Sequence, residues 1–172
     1  MNKKIAVKYG AISGLLIVSS WFIGYMLSGG ETHFEGGEVV GYGVMLLALT
    51  AVFMGVKSKR DDSDNPTFTF KEGFLTGLGI VIVASLIYVI GWLIYMPTFA
   101  PDFIDKYQTS QIELVQNSEL SPEEKTNQIN EVRESIENYK KPHVMVAYTF
   151  IEIFPVGLIV ALITALILRR KP

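Results

Sequence analysis

The chain has 172 residues, of which 49% are hydrophobic, and its mean hydropathy is +0.33. This composition excludes an ordinary soluble domain, and the length excludes a large transporter. The absence of cysteine excludes disulfides, thiolate metal sites and cysteine nucleophiles, and the net charge of −2 is informative only through its distribution.

Four long apolar segments predict four transmembrane helices, because about 20 helical residues cross a hydrocarbon core of roughly 30 Å. The predicted spans are residues 5–27, 39–56, 73–96 and 144–168. The third is the cleanest, since residues 73–95 carry no charge. The first resembles a signal peptide, but no small-x-small cleavage site follows it and more spans come after it. We therefore predict that it is retained.

The segment 97–143 is the one sizeable polar insert, and Pro97, Pro101 and Asp102 break the apolar run before it. Residues 121–124 have the form of a helix start with a capping box. Apolar residues recur at near-helical spacing, namely Phe103, Tyr107, Leu114 and Val115, then Ile129, Val132, Ile136 and Tyr139. We predict two amphipathic helices joined near 117–121. Since about 40 residues make a weak core, this hairpin leans on the membrane domain, extends from the third span or pairs with another subunit.

Lys and Arg residues mark one side of the predicted membrane. Ten lie near the N-terminus, in the segment 57–71 or at the C-terminus, and none lies in 28–38. The segment 97–143 has five, against nine acidic residues. The positive-inside rule then puts both termini and the segment 57–72 in the cytoplasm, with 28–38 and the hairpin outside. We expect an all-α, multi-pass membrane protein with an extracytoplasmic helical hairpin between the third and fourth spans.

An internal similarity relates the two halves of the chain. Aligned without gaps, residues 8–25 and 71–88 are identical at seven of 18 positions, and residues 38–57 and 152–171 at five of 20. One explanation of this identity is the apolar composition that all membrane helices share. The other is a duplicated two-helix unit, whose copies would be parallel repeats about an axis normal to the membrane. Each copy carries a Gly-x-x-x-Gly pair that predicts close helix–helix contact. These pairs are Gly10 with Gly14 and Gly73 with Gly77.

Glu152 is the strongest candidate for a functional residue within the predicted spans. It lies 17 residues before Arg169, about 25 Å along a straight helix and so inside the hydrocarbon edge. A carboxylate there is costly unless it is protonated, paired or facing water. Pro155 frees a carbonyl on the preceding turn, so that Glu152 could bind a cation or relay a proton. The alternative is that Glu152 sits at the interface and orients the last span; Glu38 is its counterpart in the repeat.

A second candidate is the loop 28–38, which is rich in Glu and Gly. Glu31, His33 and Glu35 lie in it, and His143 is expected on the same side of the membrane. Imidazole and carboxylate groups could bind a divalent ion such as Zn²⁺ or Mn²⁺, or His33 could sense pH. A solvated turn explains the same residues, and we predict no metal.

Enzyme signatures are missing from the sequence. It has no P-loop, no G-x-S-x-G, no H-E-x-x-H and no dinucleotide fingerprint, so we predict neither enzyme activity nor a cofactor. The basic residues border the spans instead of forming an aromatic-rich basic face, which argues against nucleic acid as a partner.

Four stretches together resemble a known family. They are KYGAISGLL at 8–16, FTFKEGFLTGLGIVI at 68–82, IYMPTFAPDF at 94–103 and EIFPVGLIVALITALILRRK at 152–171. In this order they resemble the four-helix membrane proteins of the domain of unknown function 4199 family, found mainly in Bacteroidota. The resemblance implies an inner-membrane protein with four helices and an outer segment before the last one. It implies no activity and no site residues.

We therefore predict a structural or interaction subunit that lies in the lipid bilayer and uses its outer hairpin. Its partner would be a second copy, as a homo-oligomer, or another membrane or periplasmic protein. The main alternative is a small oligomeric transporter, or an ion- or proton-conducting subunit, that uses Glu152 and Glu38. A membrane-embedded enzyme is a third and less favoured alternative.

Overall fold

The computed structural model describes residues 3–29, 37–62 and 67–170, and within them the chain forms six α-helices. They are α1 (Lys3–Leu27), α2 (Gly37–Asp61), α3 (Phe70–Phe99), α4 (Phe103–Gln116), α5 (Pro122–Tyr139) and α6 (Pro142–Leu168). Four of them, α1, α2, α3 and α6, are long and apolar enough to cross a membrane. The all-α prediction with four candidate membrane spans is confirmed. The part of the chain described contains no β-strand beyond one isolated bridge.

The helices continue past the apolar segments that predict them. α2 runs through Lys57 and Arg60 to Asp61, because a helix keeps its hydrogen bonds where it leaves the hydrocarbon and enters the polar border. The helix α3 contains Pro97 and continues to Phe99, and the turn comes at Pro101. Proline removes only one helical hydrogen bond, and so close to the end of a helix this loss is small.

The chain divides into two compact units. The first, the membrane unit, contains the described residues of 1–92 and 149–172, and therefore α1, α2, most of α3 and most of α6. The second, the hairpin unit, contains residues 93–148, with α4 and α5. The largest fully buried side chains of the membrane unit come from all four of its helices. They include Ile17, Leu49, Val52, Ile80, Val81 and Ile153.

Glycines bring α1 directly against α3. A Cβ built on Gly10 would lie 2.6 Å from the Cβ of Val83, and one on Gly14 would lie 2.7 Å from the Cβ of Ile87. Both distances are well inside the usual carbon–carbon contact of about 3.5–4.0 Å. Only glycine therefore fits between these helices at these two positions, as the small-residue packing of membrane helices requires.

Small residues also bring α3 against α6. A Cβ built on Gly77 would lie 3.0 Å from the Cβ of Ala161, and one on Gly73 would lie 3.3 Å from the Cα of Ala165. On the α6 side, a Cβ on Gly157 would lie 2.5 Å from Cγ1 of Val81. α6 thus presents small residues at a spacing of four to α3, where Ala161 and Ala165 meet Gly77 and Gly73, and Gly157 meets Val81.

Aromatic rings add a second contact between α1 and α3. The ring of Trp21 meets the ring of Tyr88 edge-on at 4.9 Å between centroids, and the ring of Trp92 at 5.2 Å. Edge-to-face pairs at such distances are favourable beyond the area they bury. Because the chain has only two tryptophans, their fluorescence reports on this helix pair alone.

The segment before α3 is tied to the end of α6. Phe68 and Arg170 form an isolated antiparallel bridge, in which Phe68 N–H donates to the Arg170 carbonyl at 3.2 Å and Arg170 N–H donates to the Phe68 carbonyl at 2.8 Å. The Phe68 side chain is buried beside Gly73. The segment before α3 is thus paired with the chain after α6 through one bridge.

Candidate functional site

The hairpin unit is the candidate site, and interactions close it at both ends. At the turn, the Lys125 ammonium donates to the Gln116 carbonyl at 2.8 Å, which joins the start of α5 to the end of α4. At the other end, Lys140 Nζ lies 3.3 Å from a carboxylate oxygen of Asp105. The end of α5 therefore lies beside the start of α4, and the two helices run antiparallel.

The predicted capping box starts α5. The Ser121 hydroxyl accepts from the Glu124 N–H at 3.4 Å, and the Glu124 carboxylate accepts from the Ser121 hydroxyl at 2.7 Å and from its N–H at 2.9 Å. These bonds from the Ser121 hydroxyl and N–H lower the pKa of Glu124 below its ordinary value. The ionised carboxylate is the form that holds the start of the helix.

Lys140 is held by two carboxylates. Its Nζ lies 3.2 Å from Glu137 and 3.3 Å from Asp105. The hydrogen bond to Glu137, followed by the one to Asp105, raises the pKa of Lys140 above its ordinary value. All three side chains are exposed, so the bridge orients the helices more than it stabilises them.

A groove of about 410 Å³ runs between α4 and α5. Its walls combine apolar side chains with amide, hydroxyl and carboxylate groups, and Glu131 is the one charged residue that lines it. The lining residues are Tyr107, Gln111, Val115, Gln128, Glu131, Val132, Ser135 and Ile136. The apolar part of such a groove is the kind of surface on which the apolar face of an amphipathic helix packs.

The hairpin buries very little of its own apolar surface. α4 has no buried residue and α5 has only Ile136, although the structure describes both helices in full. Leu114 remains 62% exposed. A compact domain buries a larger share of its surface, so the hairpin has apolar side chains available for another molecule.

Sequence reasoning found the two apolar stripes of the hairpin and missed the polar residues of the groove. Gln111 lies four residues after Tyr107 and four before Val115, so all three share one face of α4. Gln128 and Ser135 border the apolar stripe of α5 in the same way. A helical wheel that included polar residues would have shown these positions.

Glu152 lies on an exposed face of α6. Its side chain is exposed, as are those of Ile151, Ile159 and Ile163, whereas Ile153 and Gly157 face the core. The carboxylate therefore lies outside the bundle interior of the membrane unit.

The buried polar side chains of the described core are hydroxyls. They are Ser13, Thr76, Ser85, Thr149 and Thr164. The Thr76 hydroxyl donates to the Glu72 carbonyl one turn back at 2.7 Å, which is how a membrane helix satisfies such a group internally. Small hydroxyl residues, like glycines, allow close helix packing.

The predicted metal ligands are largely outside the described residues. Glu31, His33 and Glu35 fall in the undescribed segment, as does the side chain of Glu38. His143 is described and is exposed in the first turn of α6. Within residues 3–29, 37–62 and 67–170, no group of three or more His, Asp or Glu side chains is arranged to hold a metal.

Comparison with known proteins gives one match. A family model described as "Protein of unknown function (DUF4199)" matches residues 8–170. Neither a curated protein nor a solved structure matches the chain. The match covers all four candidate membrane spans almost completely and includes the hairpin unit.

Proposed function

The chain belongs to the DUF4199 family of proteins of unknown function, and we propose that it is a non-enzymatic interaction subunit of the bacterial inner membrane whose hairpin binds another protein. The observation that carries this proposal is the open groove between α4 and α5, two helices that together bury a single side chain, that of Ile136. The four apolar helices anchor the hairpin to the bilayer.

The charge of the hairpin favours a basic partner. Residues 97–143 carry nine acidic and five basic residues, a net charge of −4. Two such hairpins would repel each other, which disfavours a second copy at this surface. Glu131 adds one carboxylate inside the groove. A segment of another membrane or periplasmic protein with apolar residues and a Lys or Arg would complement both the walls and the charge.

The distribution of basic residues supports an outward hairpin. Basic residues occur at the start of α1, the end of α2, the start of α3 and the end of α6, and the segment 28–38 has none. The positive-inside rule assigns those four helix ends to the cytoplasm. Both termini would then be cytoplasmic, and the hairpin would face the periplasm.

A pair of photo-crosslinking residues tests the proposal. One replaces Gln128, which lines the groove, and the control replaces Asn130, which is also exposed on the same helix and lies outside the groove. In living cells we expect a discrete adduct with one protein from position 128 and none from position 130. An adduct at twice the mass of the chain would identify a second copy and contradict the basic partner.

Charge reversal gives the matching control for recognition. Glu131→Arg should abolish the adduct from position 128, because it places a cation against the proposed basic segment. Glu134→Arg makes the same charge change outside the groove and should leave the adduct intact. Equal adducts in both variants would refute recognition through the groove.

A further inference from the structure

Charged side chains form a cluster at one end of the membrane unit. Asp61, at the end of α2, lies near three cationic side chains. Its carboxylate oxygens are 3.2 Å from Lys57 Nζ, 2.8 Å from Arg60 Nη2 and 3.8 Å from Arg170 Nη2. One carboxylate neutralises one of three positive charges, so the cluster keeps an excess of two.

The fold assembles this cluster from two distant parts of the sequence. The backbone bridge between Phe68 and Arg170 fixes the chain just after α6. That bridge brings the Arg170 guanidinium to within ion-pair distance of Asp61. The side chains of Lys57 and Arg170 remain 53% and 49% exposed, so both have surface left for another anion.

The cluster lies where the candidate spans meet the headgroup layer. Asp61 ends α2, and Arg170 follows α6 by two residues. Among the described residues, this end of the membrane unit has nine basic and three acidic side chains. The basic ones are Lys3, Lys4, Lys8, Lys57, Lys59, Arg60, Lys71, Arg169 and Arg170, and the acidic ones are Asp61, Asp62 and Glu72.

We propose that Lys57, Arg60 and Arg170 bind the phosphodiester group of an anionic phospholipid in the adjacent leaflet. Guanidinium and ammonium groups that converge at a membrane border are the chemistry that recognises such headgroups. Asp61 holds the three cations together when no lipid is bound and competes with the phosphate for them. A free phosphate would have the same chemistry, but the position at the ends of two spans favours the lipid.

Lipid titration of the purified, delipidated full chain tests this proposal. Thermal unfolding would be followed by tryptophan fluorescence while phosphatidylglycerol, phosphatidylcholine or inorganic phosphate is added. We expect phosphatidylglycerol to raise the unfolding midpoint, with the effect weakened in high salt. The other two additions should change it little. No response to phosphatidylglycerol, or an equal response to inorganic phosphate, would overturn the lipid site.

Matched variants place the site on the chain. The Lys57→Gln/Arg170→Gln variant should weaken the response to phosphatidylglycerol by roughly tenfold or more, since each cation near a membrane surface contributes about fivefold. Lys106→Gln/Arg133→Gln removes the same charges from the hairpin and should leave the response unchanged. If both double variants lost the response to phosphatidylglycerol equally, the response would come from general charge attraction, and the proposed site would be refuted.

A third variant keeps the test decisive if the double variant does not fold. Asp61→Asn removes the competing carboxylate and keeps all three cations. We expect it to bind phosphatidylglycerol more tightly than the parent chain. Weaker binding would show that Asp61 and its partners only hold the fold together, and would contradict the proposal.

Discussion

Substitution of Gly157 by alanine tests the close packing of α6 on α3. The new Cβ would lie 2.5 Å from Cγ1, 3.1 Å from Cγ2 and 3.4 Å from Cβ of Val81. An ordinary contact of about 3.5–4.0 Å requires a shift of roughly 1 Å. Val81 is fully buried, and valine in a helix has essentially one rotamer, so the helices themselves must separate. We expect Gly157→Ala to lower the free energy of unfolding by about 1–3 kcal/mol.

A second substitution should reverse this loss. Val81→Ala removes both Cγ atoms and leaves only the Cβ, whose distance of 3.4 Å is an acceptable contact. The Gly157→Ala/Val81→Ala chain should therefore be more stable than Gly157→Ala alone, with a coupling energy of about 1–3 kcal/mol. Gly43→Ala is the control. Gly43 aligns with Gly157 in the internal similarity, yet a Cβ added to it would have nothing within 4 Å.

Unfolding in mixed micelles, followed by the fluorescence of Trp21 and Trp92, measures these differences. The two rings lie 5.2 Å apart across α1 and α3, so their signal changes when the membrane unit opens. The reasoning is refuted if Gly157→Ala is as stable as Gly43→Ala. It is also refuted if the double variant is less stable than either single variant.

Three further predictions concern other parts of the molecule. Gly14→Ala should destabilise the chain and Gly24→Ala should not, because only the first Cβ meets a neighbouring helix; equal unfolding midpoints would contradict this. Since the pKa of Glu124 is lowered in the folded chain, its capping contribution is present above the ordinary value of 4.5 and is lost as pH falls through the folded value. Amide exchange at the start of α5, corrected for intrinsic rates, should rise below pH 4.5, and Ser121→Ala should remove this dependence. Glu152→Gln should leave proton flux into proteoliposomes unchanged, and a flux in the parent chain that this variant abolishes would support the conduction hypothesis instead.

The helices could be predicted because hydrocarbon thickness and helical rise are general quantities. Each of the four apolar segments is a helix in the structure, and the stripes of the insert became α4 and α5. The capping box at Ser121 was equally readable, because its chemistry is local. The boundaries were less accurate, as the continuation of α3 through Pro97 shows.

The faces of the membrane helices could not be predicted in the same way. In a bilayer the lipid-facing and core-facing residues are both apolar, so periodicity does not separate them. Glu152 therefore had a predictable depth but no predictable face. Small residues carry this information instead, and the series Gly157, Ala161 and Ala165, spaced by four, was a readable signal for the α3 contact.

Long-range contacts of the backbone were also beyond the sequence. The bridge between Phe68 and Arg170 joins positions about 100 residues apart, and no local pattern encodes such a pairing. The cluster around Asp61 depends on that bridge. The sequence showed that the ends of the spans are basic, but not that three cations converge on one carboxylate.

The central claim is that the hairpin lies on the periplasmic side of the membrane and the basic helix ends lie on the cytoplasmic side. Because the chain has no cysteine, Asn130→Cys in α5, outside the groove, and Asp62→Cys after α2 each introduce a unique thiol. A membrane-impermeant maleimide should label Asn130→Cys in cells with a permeabilised outer membrane. It should label Asp62→Cys only after the inner membrane is opened. The reverse pattern would contradict the account.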